Sequence, residues 1–433
     1  MKRRLNVLVF PGGTEIGLEI WRALRHCKEI LLYSAAANVS NHAPYVFAKH
    51  FVVPSVYEPG WLDALNKIIV EFNIDYVFPA HDDVIVALAE KAAQLRARVI
   101  SSPPETCLLT RSKSLTYKFF ANVLPVPKIY EHPDSVPEYP VFVKPDRGQG
   151  AQGARIVNTR EELYALLREQ ESGGRYLILE YLPGEEYTVD CLSDRERGLL
   201  FCRGRQRVRT RGGISVHSSP ASDIQNEVFR EYAEIISSRL ALYGAWFFQV
   251  KKSKSGTYTL LEIAPRIAGT MALYRVLGVN FALLSIYEQE RIPFEILVNS
   301  INVEIDRALV NRYKHSLEYR TVYIDLDDTL IQDGLVNVDL VRFLYQCVNE
   351  GRQIVLLTKH TGDVEALLRR HRLWGLFDDI IQLDASANKA DYIQGPDAIF
   401  IDDSFSERKA VANLHKIPTL DCSMIEMLID ERV

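Results

Sequence analysis

Over residues 1–100, short apolar runs alternate with helical patterns of apolar and polar positions. Asn6–Phe10 reads as a strand, and Pro11-Gly12-Gly13 turns into a helix near Glu15–His26. Glu29–Tyr33 reads as a second strand and Tyr76–Pro79 as a later one. Strands alternating with helices predict a parallel, doubly wound sheet. The middle changes character. Residues 141–160 and 176–190 are β-rich with glycine-dense connections, and a further strand pattern runs over Thr257–Ile263. Residues 300–320 turn polar (Asn311, Arg312, Lys314, His315, Glu318, Arg320) before the sharply apolar run Thr321–Leu326, which marks a domain boundary. From there strands at 322–326, 353–357 and 398–401 again alternate with helices. Neither an internal repeat nor a low-complexity segment interrupts the chain.

With 433 residues, the length suggests about three domains. Hydrophobic residues at 47% and charged residues at 25% are ordinary for a globular protein. A net charge of -5 argues against a general nucleic-acid binder. Cys27, Cys107, Cys191, Cys202, Cys347 and Cys422 form no C-x-x-C pair, so neither a zinc site nor a disulfide framework is indicated, and a reducing, cytoplasmic compartment is expected. The basic start MKRR and the short apolar run ending in Pro-Gly-Gly read as a first buried strand, too short for a signal peptide. No apolar stretch reaches the ~20 residues of a membrane span. The Gly12-Gly13-Thr14-Glu15-Ile16-Gly17 turn lacks a full G-x-G-x-x-G; it reads as a tight strand-to-helix turn, with phosphate binding as the alternative.

The C-terminal region concentrates acids at strand ends. Val322–Leu330 is an apolar strand running into Asp325, Asp327 and Asp328; Ile354–Thr358 ends in a hydroxyl; Asn388-Lys389 precedes a helix; Ala398–Asp403 ends in Asp402 and Asp403. Ligands of doubly wound sheets bind at the carboxyl ends of the strands. An extended backbone points Asp325 and Asp327 the same way. Carboxylates gathered there need a cation, and oxygen ligands suit Mg²⁺. Asp325 would attack phosphorus, and Asp327 would protonate the leaving oxygen and then deprotonate water. Thr358 and Lys389 would hold the phosphoryl oxygens. Asp325, the Asp327 carbonyl and Asp402 or Asp403 would hold the metal. In this order the motifs resemble the haloacid-dehalogenase (HAD) family. The gaps between Leu330 and Ile354 and between Thr358 and Lys389 leave no room for a sizeable cap. The run Phe400–Arg408 also resembles the HAD branch that transfers glyceryl units to carriers.

The central region carries Pro140–Pro145 with Lys144 inside a strand, then the glycine-dense run Gly148-Gln149-Gly150-Ala151-Gln152-Gly153. Such a loop can wrap phosphates with backbone N–H groups. Next come Tyr176–Asp190, with a Pro183-Gly184 turn among acids, Gln249, and Leu260–Arg266 with Glu262. Residues 1–310 together resemble the ATP-grasp superfamily, nearest its carbamoyl-phosphate-synthase-like and carboxylate–amine ligase members, and Ile74–Asp83 resembles the end of their preceding Rossmann-like domain. The resemblance implies that Lys113 and Lys144 contact ATP phosphates, that Glu180 and Leu182 lie at adenine and Glu186 at ribose, that Gln249 and Glu262 hold Mg²⁺ (Mn²⁺ as an alternative ion), and that catalytic Arg266 faces the γ-phosphate. The sequence departs from the family at Ala264, where Asn is usual, at Gln249, a weaker ligand than a carboxylate, and at Ser112, where Asp is common before the lysine.

Arg203, Arg205, Arg207, Arg209 and Arg211 alternate, so an extended strand would point all five to one side. The row reads either as a solvated face or as recognition of an anionic substrate, with Arg209 and Arg211 assigned to substrate because they adjoin Gly212-Gly213, and Arg203 and Arg205 assigned to the surface. His217 reads as structural. The expected architecture is thus α/β and α+β multidomain: a Rossmann-like domain at 1–108, an ATP-grasp domain at 109–310, a linker at 311–320 and a HAD-like domain without a large cap at 321–433. The expected function is an ADP-forming carboxylate–amine ligase coupled to a Mg²⁺-dependent phosphatase. Its partners would be small molecules (a carboxylate with an amine, or a phosphate ester), with no nucleic acid and no membrane, and a homodimer is compatible with it. Two alternatives stand beside this: an ATP-grasp kinase paired with a glyceryl or phosphoryl transferase, and a nucleotide-binding protein with a vestigial site.

Overall fold

The computed structural model describes residues 4–148, 152–169 and 175–432, and the chain divides into two compact units, 1–309 and 310–433. Gln149, Gly150 and Ala151 of the expected phosphate loop lie outside the described residues.

The larger unit begins with a parallel sheet. Strands β1 (Leu5–Phe10), β2 (Ile30–Ala36), β3 (His50–Val52), β4 (Tyr76–Pro79) and β5 (Arg98–Val99) stand in the order β3-β2-β1-β4-β5. Val7, Leu8 and Val9 are fully buried because helices cover both faces of a parallel sheet. The glycine turn after β1 is a close-packing device: a Cβ on Gly12 would lie 2.5 Å from Ser34 Cβ, and one on Gly17 would lie 2.6 Å from the Gly12 carbonyl. Thr14 caps the helix Glu15–Leu24 by accepting from the Gly17 amide at 3.0 Å. The expected division between residues 108 and 109 would cut through the helix Pro104–Arg111. The Pro103-Pro104 signal opens an eight-residue helix there rather than ending one.

Two antiparallel sheets follow. Strands β6 (Ile129–Tyr130), β7 (Val141–Pro145), β8 (Arg155–Val157) and β9 (Tyr176–Glu180) form the order β6-β9-β7-β8. Strands β10 (Glu186–Asp194), β11 (Gly198–Arg211), β12 (Ile214–Pro220), β13 (Gly244–Lys252), β14 (Tyr258–Ala264) and β15 (Ile305–Asp306) form the order β14-β13-β10-β11-β12-β15. One face of this second sheet packs Val189, Cys191, Trp246 and Phe248 against Phe229, Ala233 and Ile236 of the helix Asp223–Arg239. Strand alternation sends Thr188, Asp190, Arg205 and Gln249 to the opposite face. β15 was not legible in the polar stretch before the boundary, since a two-residue edge strand carries no periodicity.

In the smaller unit β16 (Thr321–Ile324), β19 (Gln353–Thr358), β20 (Asp379–Gln382), β21 (Ala398–Ile401) and β22 (Thr419–Leu420) form a parallel sheet in the order β20-β19-β16-β21-β22, and β17 (Ile331–Gln332) pairs with β18 (Leu335–Val336) as a hairpin. Val322, Ile324, Ile354, Leu356, Ile399 and Ile401 are completely buried at its centre. The segment expected as a linker belongs to this unit instead. Arg312 pairs with Glu431 at 2.9 Å and Tyr313 bonds Glu426 at 3.0 Å, so polar residues there signal docking rather than free chain. All six cysteines are free thiols. Among the described residues, no helix is long and apolar enough to cross a membrane.

Candidate active sites

A cavity of about 830 Å³ opens in the larger unit, with Lys113, Lys144, Glu186, Gln249, Glu262 and Arg266 in its wall. β7 delivers Lys144, whose ammonium donates to Tyr117 Oη at 2.8 Å, while Tyr117 donates to the Leu261 carbonyl at 2.7 Å. Burial, with the neighbouring Lys113 charge, pulls Lys144 down to about 7. Lys113 stands at the start of the helix Lys113–Phe120 and reaches the Gly148 carbonyl at 3.3 Å. Both lysines thus face the cavity, Lys144 bonded to a hydroxyl and Lys113 to a carbonyl, with Glu186, Glu262 and Asp146 acting on Lys144 from nearby. Such a pair is poised for a polyanion.

β13 and β14 set Gln249 and Glu262 directly opposite each other. Glu186 takes Arg207 Nε at 2.8 Å and Lys251 at 3.5 Å. Arg266 is buried and clamped by Asp82, with Nη2 to Oδ2 at 3.0 Å, and its Nη1 donates to the Ile267 carbonyl at 3.0 Å. Glu180 and Leu182 do not line the cavity. The Glu180 carboxylate turns back to accept from the Lys128 amide at 2.9 Å, and Leu182 is buried. At the departures, Ser112 caps the Lys113 helix and donates to Asp146 at 2.8 Å, whereas buried Ala264 sits opposite Phe247 and offers no ligand atom.

The arginine row is the main correction. The β11–β12 pairing shifts register between Arg207 and Arg209 and again between Arg209 and Thr210. Each irregularity breaks the two-residue alternation. Arg205, Arg207 and Thr210 line the cavity, while Arg209 and Arg211 are exposed and do not. Arg209 pairs with Asp306 at 2.6 Å. The expected placement thus inverts: Arg205, expected at the surface, is 1% exposed and held by Asp190 at 2.7 and 3.1 Å. His217 lies 3.5 Å from Glu304 and pairs in register with Asp306 of β15.

The smaller unit gathers its groups where β16, β19 and β21 end. Lys389 Nζ donates to Asp325 Oδ1 at 2.6 Å and to Asp402 Oδ2 at 2.7 Å, all three buried. Burial, with Asp402 nearby, raises Asp325 to about 6. Burial alone would lower the Lys389 ammonium, but Asp325 and Asp402 hold it above its usual value. Oxygens of Asp325, Asp402 and Asp403 lie within 4.8 Å of one another. Thr329 bridges Asp325 and Asp403, at 3.5 and 3.2 Å. Thr358 is fully buried, and its Oγ1 accepts from the His360 amide at 3.0 Å.

Asp327 departs from the expected parallel aim. β16 stops at Ile324 and Asp328 takes a positive φ of 55°, so the chain turns instead of continuing extended. Asp325 is buried while Asp327 is exposed, with His360 Nδ1 at 3.0 Å from both its oxygens. Sequence reasoning missed His360, Tyr117, Asp190 and Arg307. Only His360, two residues after the strand-ending Thr358, had a usable signal. Arg307 lines the cavity and pairs with Glu15 at 3.0 Å.

A family model described as "ATP-grasp in the biosynthetic pathway with Ter operon" matches residues 174–302. The chain is 27% identical over 303 residues to the carbamoyl phosphate synthase large chain of Thermoplasma acidophilum, covering 64% of this chain and 28% of that one. It is 29% identical over 181 residues to the D-alanine–D-alanine ligase of Petrotoga mobilis, covering 40% of this chain and 58% of that one. This chain thus spans under two thirds of either relative. Among solved structures it resembles the biotin carboxylase domain of Hydrogenobacter thermophilus 2-oxoglutarate carboxylase, crystallised with MgADP (TM-score 0.57, 15% identity, 69% of this chain and 73% of that one). It also resembles an L-amino acid ligase from Bacillus licheniformis (TM-score 0.54, 18% identity, 68% and 76%). The chain therefore contains a fold of the ATP-grasp superfamily, of the kind seen in carbamoyl phosphate synthase and biotin carboxylase. The family-model match puts that fold in the larger unit.

Proposed function

We propose that the larger unit is an ATP-dependent, ADP-forming carboxylate–amine ligase and that the smaller unit is a Mg²⁺-dependent phosphohydrolase of the HAD type. For the larger unit, the observation that carries the reading is the cavity that unites Lys113 and Lys144 with Gln249 and Glu262. Two lysines that make no ion pair among the described residues fit nucleotide phosphates, and two oxygen donors in cross-strand register fit Mg²⁺. Bound Mg²⁺ would supply charge neutralisation between phosphates and acid. Lys144 and Lys113 hold the phosphates, and Arg266, fixed by Asp82, orients the transferred group. A substrate carboxylate oxygen attacks the γ-phosphorus, the bond to the β-phosphate oxygen breaks and ADP leaves. An amine nitrogen then attacks the acyl carbon and expels phosphate. The test is ADP release from ATP across a panel of acids and amines. Release that requires both would support ligation, and release with neither, or none at all, would defeat it.

For the smaller unit, the carrying observation is one ammonium shared by two buried carboxylates with a third acid alongside. The all-oxygen donor set of Asp325, Asp402 and Asp403 fits Mg²⁺, whose charge would let anionic nucleophile and anionic phosphate approach. Asp325 forms a bond to phosphorus while the ester P–O bond breaks, and Asp327 gives a proton to the leaving oxygen. Water, losing a proton to Asp327, then releases phosphate from Asp325. Lys389 keeps Asp325 ionised. Hydrolysis of p-nitrophenyl phosphate that depends on Mg²⁺ would support the reading; turnover unaffected by chelator would oppose it.

A further inference from the structure

Four residues on four adjacent strands form one cross-strand row along the cavity wall. Glu262 on β14 is opposite Gln249 on β13, Gln249 is opposite Thr188 on β10, and Thr188 is opposite Arg205 on β11. All four line the cavity. Neighbouring strands lie about 4.8 Å apart, so Arg205 stands roughly 10 Å along the row from Gln249 and roughly 14 Å from Glu262. One end of the row is the metal and phosphate end of the proposed ligase, and the other end is far enough away to meet a different part of the substrate.

That far end holds two unpartnered groups. Arg205 Nη1 and Thr188 Oγ1 are buried without hydrogen-bond partners, in side chains that are each only 1% exposed. Asp190 occupies Nε and Nη2 of Arg205 and leaves Nη1 free. A buried donor without a partner carries a desolvation cost, and binding sites are where such groups persist. Asp190 is held by Arg205 alone, and Glu186 takes Arg207 and Lys251, so neither acid turns to Arg205 Nη1.

Resting on the ligase reading, we propose that Arg205 and Thr188 form a subsite for a second carboxylate of the acid substrate, distinct from the carboxylate activated beside Gln249 and Glu262. A free guanidinium N–H beside an unpartnered hydroxyl matches the oxygens of a carboxylate. On this reading the acid substrate is a dicarboxylate, and the anion expected at the arginine row is a carboxylate.

The test uses calorimetry of the full chain with MgADP present, so that it needs no turnover. The probes are succinate, glutarate, adipate and suberate, each against the monocarboxylate of the same carbon count and the ω-phosphono acid of the same length. At least one dicarboxylate should bind about tenfold or more tightly than its monocarboxylate, the loss expected for one charge-assisted bond. Thr188→Val and Arg205→Lys should each erase that preference with MgADP affinity unchanged. Thr188→Val removes an unpartnered hydroxyl, so its melting temperature should not fall; Arg205→Lys keeps a cation for Asp190. Equal binding of the paired acids, a preference that survives in either variant, a tighter phosphono acid, or no acid binding at all would each overturn the subsite. Dicarboxylate binding without ADP release on any amine would remove the ligase reading and leave the subsite standing. ADP release with no dicarboxylate preference would do the reverse.

Discussion

Lys144 and Lys389 are both buried lysines at the end of a strand or beside one, yet their surroundings push them in opposite directions. Lys144 meets a tyrosine hydroxyl and has Lys113 for a neighbour, so burial and repulsion pull it down to about 7. Lys389 lies between Asp325 and Asp402, and those acids hold it above its usual value. The first site leaves its lysine without an acid bonded to it and suits an anion. The second has more acid than its lysine can offset and suits a cation. On the proposed reading, the same residue type marks a phosphate seat in one unit and a metal seat in the other, and the neighbours decide which.

The largest effect should come from Asp325→Asn. It keeps the shape of the nucleophile and removes its charge, so phosphatase turnover should fall at least about a thousandfold. Nucleotide affinity of the larger unit should stay the same. Turnover within tenfold of wild type, measured with p-nitrophenyl phosphate, would end the assignment of Asp325 as nucleophile and with it half of the comparison.

The two lysines themselves give the next contrast. Lys389→Met leaves two buried carboxylates without their shared cation, and breaking a buried pair costs about 3–5 kcal/mol. The smaller unit should melt earlier, and added Mg²⁺ should recover part of the loss. Lys144→Met breaks no ion pair with an acid. It should leave melting unchanged or raised near pH 8 while weakening ATP by about tenfold or more, the value of a charge-assisted contact. If both substitutions destabilise equally, the contrast between the sites is lost. Differential scanning calorimetry and titration of MgATP would settle it.

How much of this was readable beforehand depended on period. Apolar runs that end in acids, such as Ala398–Asp403, announce both the strand and its functional edge, and the parallel sheet of the smaller unit followed from three such runs. The N-terminal strands were legible for the same reason. The arginine row failed because alternation was carried across Arg207–Thr210, where the register shifts. Nothing in Arg207-Val208-Arg209-Thr210 announces a bulge, since every residue there is compatible with regular β-structure. Asp327 failed for a related reason: the strand ends before it, and Asp328 adopts a positive φ, a conformation Asp tolerates without a sequence signal. Tyr117 and Asp190 were invisible because their importance is pairwise, with Lys144 and Arg205 brought to them only by folding.

The smallest effect sharpens the comparison most finely, because it reads the Lys144 proton itself. The folded-state value near 7 lies below the ordinary lysine value of 10.5. The unfolded chain therefore binds the proton more readily, and the contribution of Lys144 to stability grows as pH rises from about 7 to about 10.5 and is absent below 7. A phosphate placed against the ammonium reverses that preference and raises the value again. At pH 8 the free protein would hold Lys144 about nine-tenths neutral, so nucleotide binding should take up close to one proton. At pH 6 the lysine is already charged, and uptake at that group should vanish. Titrating MgATP calorimetrically in two buffers of different ionisation enthalpy measures the proton count directly. Lys144→Met should remove the uptake at pH 8, whereas Lys389→Met, in the unit where acids already hold the proton in place, should leave it intact. Equal proton counts at pH 6 and pH 8 in the wild-type chain would mean that Lys144 does not meet the phosphates.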